Sequence, residues 1–540
     1  MKKALETYFS RCMRICTAKE MQEIDLIAEK EFCVRPDILM ENAGRGAVQM
    51  IFESYPQAGG DTEFLIFAGK GNNAGDAFVL ARRLICLERR VRIFTLVPPE
   101  TYKGAVQQNF EILKRLKAKI TVLESPTDLE AFFRSSSGPF TVVDGILGTG
   151  LKGTIEGIFY DIIEMINHQQ FAQVISLDIP SGVNGDTGQI QGIAIDASMT
   201  VSFGFPKLGH FLPPGAAKRG RLVNVDISLP PQFRHEGDQF LLMKSAMAAL
   251  LKERDEYGHK NTFGHTLLVG GSPGRLGAIN MAARACHKMG TGLVTVATWD
   301  NALGLLMNRL EDETMAVRIA LDGEELETYR KNLNTYSCIV MGPGLGLRPE
   351  GKRLIELVFE NYTGPIVLDA DAINLIAEHG LHDFCSQRRA PTVLTPHAGE
   401  MARLLGWEKD AVLSDPLSSI RHAVEKTHGV VLLKGAATLI GNSEGKLYLN
   451  HYPNDGMATA GSGDVLAGMI GGLVSQAMDP FLATQLAVFL HSLAGDHAAQ
   501  RLGHRSMTAP AIIENIGYAF QELATATPPS FPEEGRARLR

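Results

Sequence analysis

The segment Asn454-Asp455-Gly456-Met457-Ala458-Thr459-Ala460-Gly461-Ser462-Gly463-Asp464 runs from small residues straight into the apolar stretch Val465-Leu466-Ala467-Gly468. Backbone amides at such a helix start would stabilise negative charge developing on a transferring phosphoryl group. Asp464, in the first turn, is placed to take a proton from an attacking hydroxyl. The plainer alternative makes Ser462 or Asp464 a cap of a core helix, and the density of small residues weighs against it. Upstream, an apolar run leads into Lys434-Gly435-Ala436-Ala437-Thr438. A lysine beside glycine and a hydroxyl suits a phosphate clamp. Three further apolar runs lead into His397, into Gly342-Pro343-Gly344-Leu345-Gly346 and into Asp369-Ala370-Asp371.

The first half of the chain carries a second constellation. The run EFLIFA leads into Gly69-Lys70-Gly71-Asn72-Asn73-Ala74-Gly75-Asp76. Glycines there let the backbone approach a ligand, and amides at the following helix could hold phosphates. Two more strand-like runs end in Asp144, before Gly145-Ile146-Leu147-Gly148-Thr149-Gly150, and in Asp178, before Ile179-Pro180-Ser181. A lone Asp at such a position is as often a turn or cap residue. Three converging strand ends are a site. Asn73, Asp144 and Ser181 offer hard oxygen donors, which suit a cation without His or Cys.

These residues need a scaffold that brings strand ends together. Short β-type runs (EFLIFA, FTVVD, VISLD, then TLLVG, CIVM, PIVLD, VVLLK) alternate with helical patterns. That pattern predicts parallel sheets covered by helices on both faces. Ligands then sit beyond the carboxyl ends of the strands. The pattern restarts after PPQFRHEGD, which reads as a linker. The fold class is therefore α/β, with two tandem domains over residues 14–235 and 236–525 and a loose tail over 526–540. With 540 residues and 45% hydrophobic content, both domains can bury sizeable cores. A net charge of -7 argues against a nucleic-acid binder. The seven cysteines form no CxxC pair, so reduced, mostly buried thiols are expected rather than zinc or disulfides. No apolar window reaches membrane length and the N-terminus does not read as a signal peptide, so a cytoplasmic protein without membrane partners is expected.

The stretches MENAG, GKGNNAGDAF, DGILGTGLKG and DIPSGV resemble the NAD(P)H-hydrate epimerase family. That family has a Rossmann-like domain and interconverts the C6 epimers of hydrated NADH and NADPH. The resemblance implies potassium ligands at Asn73, Asp144 and Ser181. It implies dinucleotide contacts at Asn72, Asn73, Ala74, Gly75 and Asp76, and at Gly148, Thr149, Gly150, Leu151, Lys152, Gly153 and Thr154. Asp178 would touch the hydrated ring and is the candidate acid/base. Ala74 and Ala77 stand where that family has glycines, which is free of strain only if φ is negative there.

In the second half, MATAGSGDVLAG, TPHAGE, GPGLG, DADAIN and KGAAT resemble the nucleotide-dependent NAD(P)H-hydrate dehydratase family, within the ribokinase-like superfamily. The resemblance implies a Rossmann-like three-layer domain followed by a ribokinase-like three-layer domain. It places the hydrated cofactor on Ala278, Gly346, His397 and Asp464. The nucleotide would lie on Lys434, Gly435, Ala436, Ala437, Thr438 and Gly463. ADP would donate the phosphoryl group with Mg2+ present, and the chain would form a homo-oligomer. The alternative is a small-molecule kinase with a non-catalytic Rossmann-like binding domain, because GxGD is shared with such kinases; TPHAGE, GPGLG and KGAAT tip the balance toward repair of the hydrated cofactor.

Overall fold

A computed structural model describes residues 8, 11–59, 62–151, 153–526 and 538–539. The chain divides into two compact units, with Arg14–Gly237 in one and Asp238–Pro528 in the other. The division falls within the PPQFRHEGD stretch. Tyr8, before the first unit, belongs to the second: its ring stacks on Tyr448 with centroids 6.0 Å apart.

The first unit has strands β1 (Glu63–Ala68), β2 (Arg90–Thr95), β3 (Lys119–Val122), β4 (Phe140–Gly145), β5 (Gln173–Leu177), β6 (Met199–Phe203) and β7 (Arg221–Val225). All pair in parallel, in the order β3-β2-β1-β4-β5-β6-β7. Arg538–Leu539 pairs antiparallel with β7. β1 shows why its sequence is apolar throughout. Phe64, Ile66 and Ala68 enter one core, while Leu65 and Phe67 enter another. Successive side chains on a strand point to opposite faces, so both faces of this sheet are covered. Each of these large side chains contributes roughly 1.5–3 kcal/mol on burial.

The second unit has β8 (Gln239–Leu241), β9 (His265–Val269), β10 (Leu293–Thr298), β11 (Thr314–Arg318), β12 (Cys338–Met341), β13 (Ile366–Leu368), β14 (Thr392–Leu394), β15 (Val430–Leu433), β16 (Ala437–Gly441) and β17 (Leu447–His451). Their order is β11-β10-β9-β12-β13-β14-β15-β16-β17-β8. From β11 to β15 the pairing is parallel. The expectation of parallel strands fails beyond β15. There a tight turn after Leu433 sends β16 back antiparallel, and β17 follows it antiparallel.

Five helices matter for the sites: α1 (Asn72–Cys86), α2 (Leu276–Lys288), α3 (Asp371–His379), α4 (Ala398–Leu405) and α5 (Ser462–Ser475). Glycines in α5 serve packing as well as chemistry. A Cβ on Gly468 would lie 2.1 Å from Ala282 O of α2, so only glycine allows this close approach. All seven cysteines are free, and five of them are buried. Among the described residues, no helix is long and apolar enough to cross a membrane.

Candidate functional site

In the first unit the sheet order reverses between β1 and β4, which is where an open α/β sheet leaves a crevice. A Cβ on Gly69 would lie 1.9 Å from Ile146 O, so this glycine lets the two loops meet. α1 begins at Asn72, and no side chain caps it. Ala74 N already donates to Gly71 O at 3.0 Å, so the amides available to a ligand are those of Asn72 and Asn73.

Asn73, Asp144 and Ser181 come together as expected of one site. Asp144 is fully buried. It accepts from Ser181 N at 2.9 Å, Ser176 Oγ at 2.7 Å and Ile146 N at 3.2 Å, and Ser181 Oγ lies 2.5 Å away. Burial raises its pKa, and these donors oppose the rise. Asn73 Nδ2 donates to Leu147 O at 2.9 Å, and Leu147 N donates to Ser181 Oγ at 2.8 Å. Asn73 Oδ1 is buried without a hydrogen-bond partner. Such an orphan oxygen costs about 1–3 kcal/mol unless something satisfies it. Beside Asp144 and Ser181, its hard oxygen fits a potassium ion.

Ala74 and Ala77 lie inside α1, and neither has positive φ. The glycine-to-alanine departure therefore strains nothing. Space for Ala77 comes from Gly145, where a Cβ would lie 2.6 Å from Ala77 Cβ. Gly145→Ala is therefore expected to cost about 1–3 kcal/mol by overpacking and to lower epimerisation by displacing Asn73. Adding Ala77→Gly should recover part of both, read by thermal melting and by epimer interconversion.

The loop after β4 is spread out. Gly148 sits over Asn73, with its Cβ position 3.3 Å from Asn73 Cβ. Thr149 faces Gly185, and Thr154 faces Gly192. Gly150 and Gly153 border open space, Leu151 is partly buried, and Lys152 lies outside the described residues.

Asp178 follows β5 at φ +60°, a left-handed conformation costly for a residue with a side chain. Its Oδ1 accepts from Lys207 Nζ at 2.5 Å. Asp76, in α1, has its carboxyl pushed well above the usual range by burial and by the nearby Asp178 and Asp25. Lys207, His210 and Asp25 escaped the sequence reading. Applying the strand-end rule to β6, which leads into FPKLGH, would have found the first two.

In the second unit the order reverses between β9 and β12. Gly342, at φ +127°, admits Asp369 O where a Cβ would lie 1.7 Å from it. Ala278, near the start of α2, lies by Gly344, where a Cβ would come 3.3 Å from Ala278 Cβ. The Gly346 amide, by contrast, is already engaged, donating to Asp371 Oδ2 at 2.8 Å; Arg275 Nη1 reaches the same oxygen at 3.1 Å. Ala370, at φ +48°, separates Asp371 from Asp369, which turns the other way.

Asp369 is buried and accepts from Lys434 Nζ at 2.7 Å and Thr395 Oγ1 at 2.7 Å. Glu400 Oε2 lies 4.0 Å from the same ammonium. Burial alone would lower the Lys434 pKa, but Asp369 and Glu400 turn the net effect upward. Lys434 N donates to Pro396 O at 2.9 Å, which continues the β14–β15 pairing and seats Lys434 beside His397. Gly435 and Ala436 form the turn into β16 and are exposed, and Ala437 and Thr438 begin that strand.

His397 does cap a helix. Its Nδ1 accepts from Gly399 N at 3.0 Å and Glu400 N at 3.2 Å at the start of α4. Nε2 therefore carries the ring proton, 3.3 Å from Glu400 Oε1, on a side chain 54% exposed. The start of α5 differs. Its N-cap is Gly461 at φ +92°, and no side chain caps it. Neither Ser462 nor Asp464 is spent on the amides, which the capping alternative required. Gly463 keeps room for Lys434, whose Nζ would lie 3.1 Å from a Cβ there. The Asp464 carboxyl is raised to about 7, by burial first and by Asp369 next, with Lys434 opposing. A half-buried carboxyl raised toward neutrality at an uncapped helix start is suited to general-base work. Among the described residues, no group of three or more His, Cys, Asp or Glu is arranged to hold a metal.

The profile of the NAD(P)H-hydrate dehydratase family matches residues 266–517, and that of the YjeF-related protein N-terminus matches residues 36–209. The bifunctional NAD(P)H-hydrate repair enzyme of Moorella thermoacetica is 38% identical over 518 residues, covering 95% of this chain and 97% of its own. The chain belongs to the bifunctional NAD(P)H-hydrate repair enzyme family. The member from Thermofilum pendens is 34% identical over 518 residues, with 95% of this chain and 97% of its own covered. A solved ADP/ATP-dependent NAD(P)H-hydrate dehydratase from Bacillus subtilis, co-crystallized with ATP/Mg2+, is 26% identical. It covers 52% of this chain and 97% of its own, with a TM-score of 0.45. As a member of the repair family, the chain is a two-activity enzyme, with an epimerase domain before a dehydratase domain.

Proposed function

We propose that this chain repairs hydrated NADH and NADPH in the cytoplasm, residues 14–235 epimerising the hydrate and residues 236–525 dehydrating the S epimer with ADP. The observation that carries this reading is the uncapped start of α5, with Asp464 in its first turn and the Lys434–Asp369 pair beside it. A match that spans both domains in one order favours repair over the small-molecule kinase reading.

In the dehydratase, Asp464 takes the proton of the C6 hydroxyl as its oxygen attacks the terminal phosphorus of ADP. The bond to the bridging oxygen breaks and AMP leaves. The ring nitrogen lone pair then expels phosphate from C6, and loss of a C5 proton restores NAD(P)H. Lys434 and the α5 amides carry the charge on the phosphates, since positioning and electrostatics dominate such transfers. Gly346, Ala278 and the Nε2 proton of His397 border the hydrate, and residues 434–438 with Gly463 border the nucleotide. Bound Mg2+ would neutralise phosphate charge, held by the phosphates with at most one or two carboxylates.

In the epimerase, the hydrate carbon bears both the hydroxyl and the ring nitrogen. Asp178 takes the hydroxyl proton, the C6–N1 bond breaks to give an aldehyde, and nitrogen accepts a proton. Rotation about C5–C6 and reclosure on the other face return both protons. Residues 72–76 and 148–154 cradle the dinucleotide. Potassium, held by Asn73, Asp144 and Ser181, would fix the loops that bind it.

The test gives the full chain both epimers of NADPH hydrate with Mg2+ and K+, and with ADP or ATP in parallel, while NADPH absorbance is followed. Complete recovery is expected with ADP. Asp178→Ala should stop recovery near the starting share of the S epimer, beyond slow spontaneous epimerisation. No recovery with either nucleotide in the unaltered chain would overturn the reading in favour of a small-molecule kinase.

A further inference from the structure

The first domain holds a charge cluster that its motifs leave unused. Lys207 follows β6 and is 1% exposed. Its Nζ donates to Asp178 Oδ1 at 2.5 Å and to Phe203 O at 3.1 Å. A buried ammonium persists only when paired and hydrogen-bonded in this way.

The backbone around the pair is locked as well. Lys207 N donates to His210 Nδ1 at 3.0 Å, so the ring proton sits on Nε2, which donates to Asp178 O at 2.8 Å. His210 is fully buried. Burial first, then Lys207 and Arg219, hold its pKa well below the usual value, so it stays neutral. One neutral imidazole thus spans the main chains of both charged residues.

Two further carboxyl groups gather here. Asp25, from the helix Ala18–Phe32, has Oδ1 buried without a hydrogen-bond partner. Its carboxyl is raised to about 6, by burial first, with Lys207 opposing and Asp178 adding to the rise. Asp76 is raised further. Cys16, bridged to Lys207 through the backbone, is a thiol pushed up to about 11 by burial and stays neutral. Three carboxyl groups therefore compete for one ammonium, and among the described residues only Asp178 is in hydrogen-bond contact with it. Environments that separate neighbouring carboxyl groups assign them different tasks.

We propose that Lys207 is a positioning residue of the epimerase reaction: its ammonium selects Asp178, out of the three carboxyl groups gathered here, as the reacting base, and His210 fixes the two in register. This rests on the reading that the first domain epimerises through Asp178.

The test follows interconversion of purified R hydrate to S in the full chain without nucleotide, across pH. Lys207→Met should lower kcat about 100-fold, the scale of a disabled acid–base group, with KM little changed. The acid limb of its rate profile should move to higher pH by about one unit or more. Lys207→Arg should return kcat to within about tenfold and restore the limb. Asp25→Asn, which needs no buried cation, should move the limb the opposite way, by less than about one unit, and this arm decides the matter if Lys207→Met does not fold. Unmoved limbs in the folded variants would overturn the proposal, leaving Lys207 a structural ion pair. Full epimerisation in Asp178→Asn would instead overturn the underlying reading of the site.

Discussion

Asp464→Asn is expected to remove nucleotide-dependent dehydration by about 10²–10⁴-fold, leave epimerisation at its unaltered rate, and make the protein more stable at pH 8. The first two effects follow from its place at the start of α5 and from the separate location of Asp178. The third follows from linkage. Its carboxyl titrates at about 7 in the folded protein, above the ordinary carboxyl range, so the folded state binds the proton more tightly than the unfolded chain. Stability from this group is fully present below the unfolded value and is lost as pH rises to about 7. Asparagine removes that loss, which is on the order of a few kcal/mol for a shift of this size. Melting should therefore rise at pH 8 and stay almost unchanged at pH 4. The same titration gives the unaltered dehydratase an acid limb near pH 7. Full dehydratase activity in the variant, or a fall in stability at pH 8, would contradict this account.

Much of this was legible because local chemistry and the strand period coincide. β1 and β12 were read to the residue, since strands buried on both faces leave unbroken apolar runs. β3 and β11 escaped because they lie toward the sheet margins, where exposed positions interrupt the run. The hairpin of β16 and β17 escaped because a parallel pattern was expected to continue. Asp144, Asp178 and Lys434 were visible as residue types at strand ends, and Asp464 as one at a helix start. Their partners were not: which carboxylate meets Lys434, or which lysine meets Asp178, is decided by tertiary approach between segments 65 and 29 residues apart. Ala77 shows the same limit. Its fit, in a helix, depends on Gly145, a residue of a strand that follows much later in the chain. His397 shows the opposite case, where cap and candidate ligand are one residue: Nδ1 caps α4, while Nε2, 3.3 Å from Glu400 Oε1, belongs to a side chain that is 54% exposed.

Lys434→Met is the substitution expected to damage both stability and chemistry in the second domain. Asp369 is 1% exposed and loses its ion pair with Lys434, keeping the hydroxyl of Thr395. Breaking a buried pair from one side costs about 3–5 kcal/mol, because the other charge stays buried. Dehydration should fall to background, since the phosphates lose their cation next to the α5 amides. Removing both partners together separates the two effects. In Lys434→Met with Asp369→Asn, the Asp369 charge is gone and Glu400 still accepts from His397 N at 2.9 Å, so melting should recover part of the loss while dehydration stays absent. Lys434 also opposes the rise of the Asp464 carboxyl, and Asp369 adds to it, so residual activity in Lys434→Met should have its acid limb above pH 7, and the double variant should lose that upward displacement. Recovery of dehydration along with stability in the double variant would show that Lys434 acts only by holding Asp369, and would remove it from the nucleotide site.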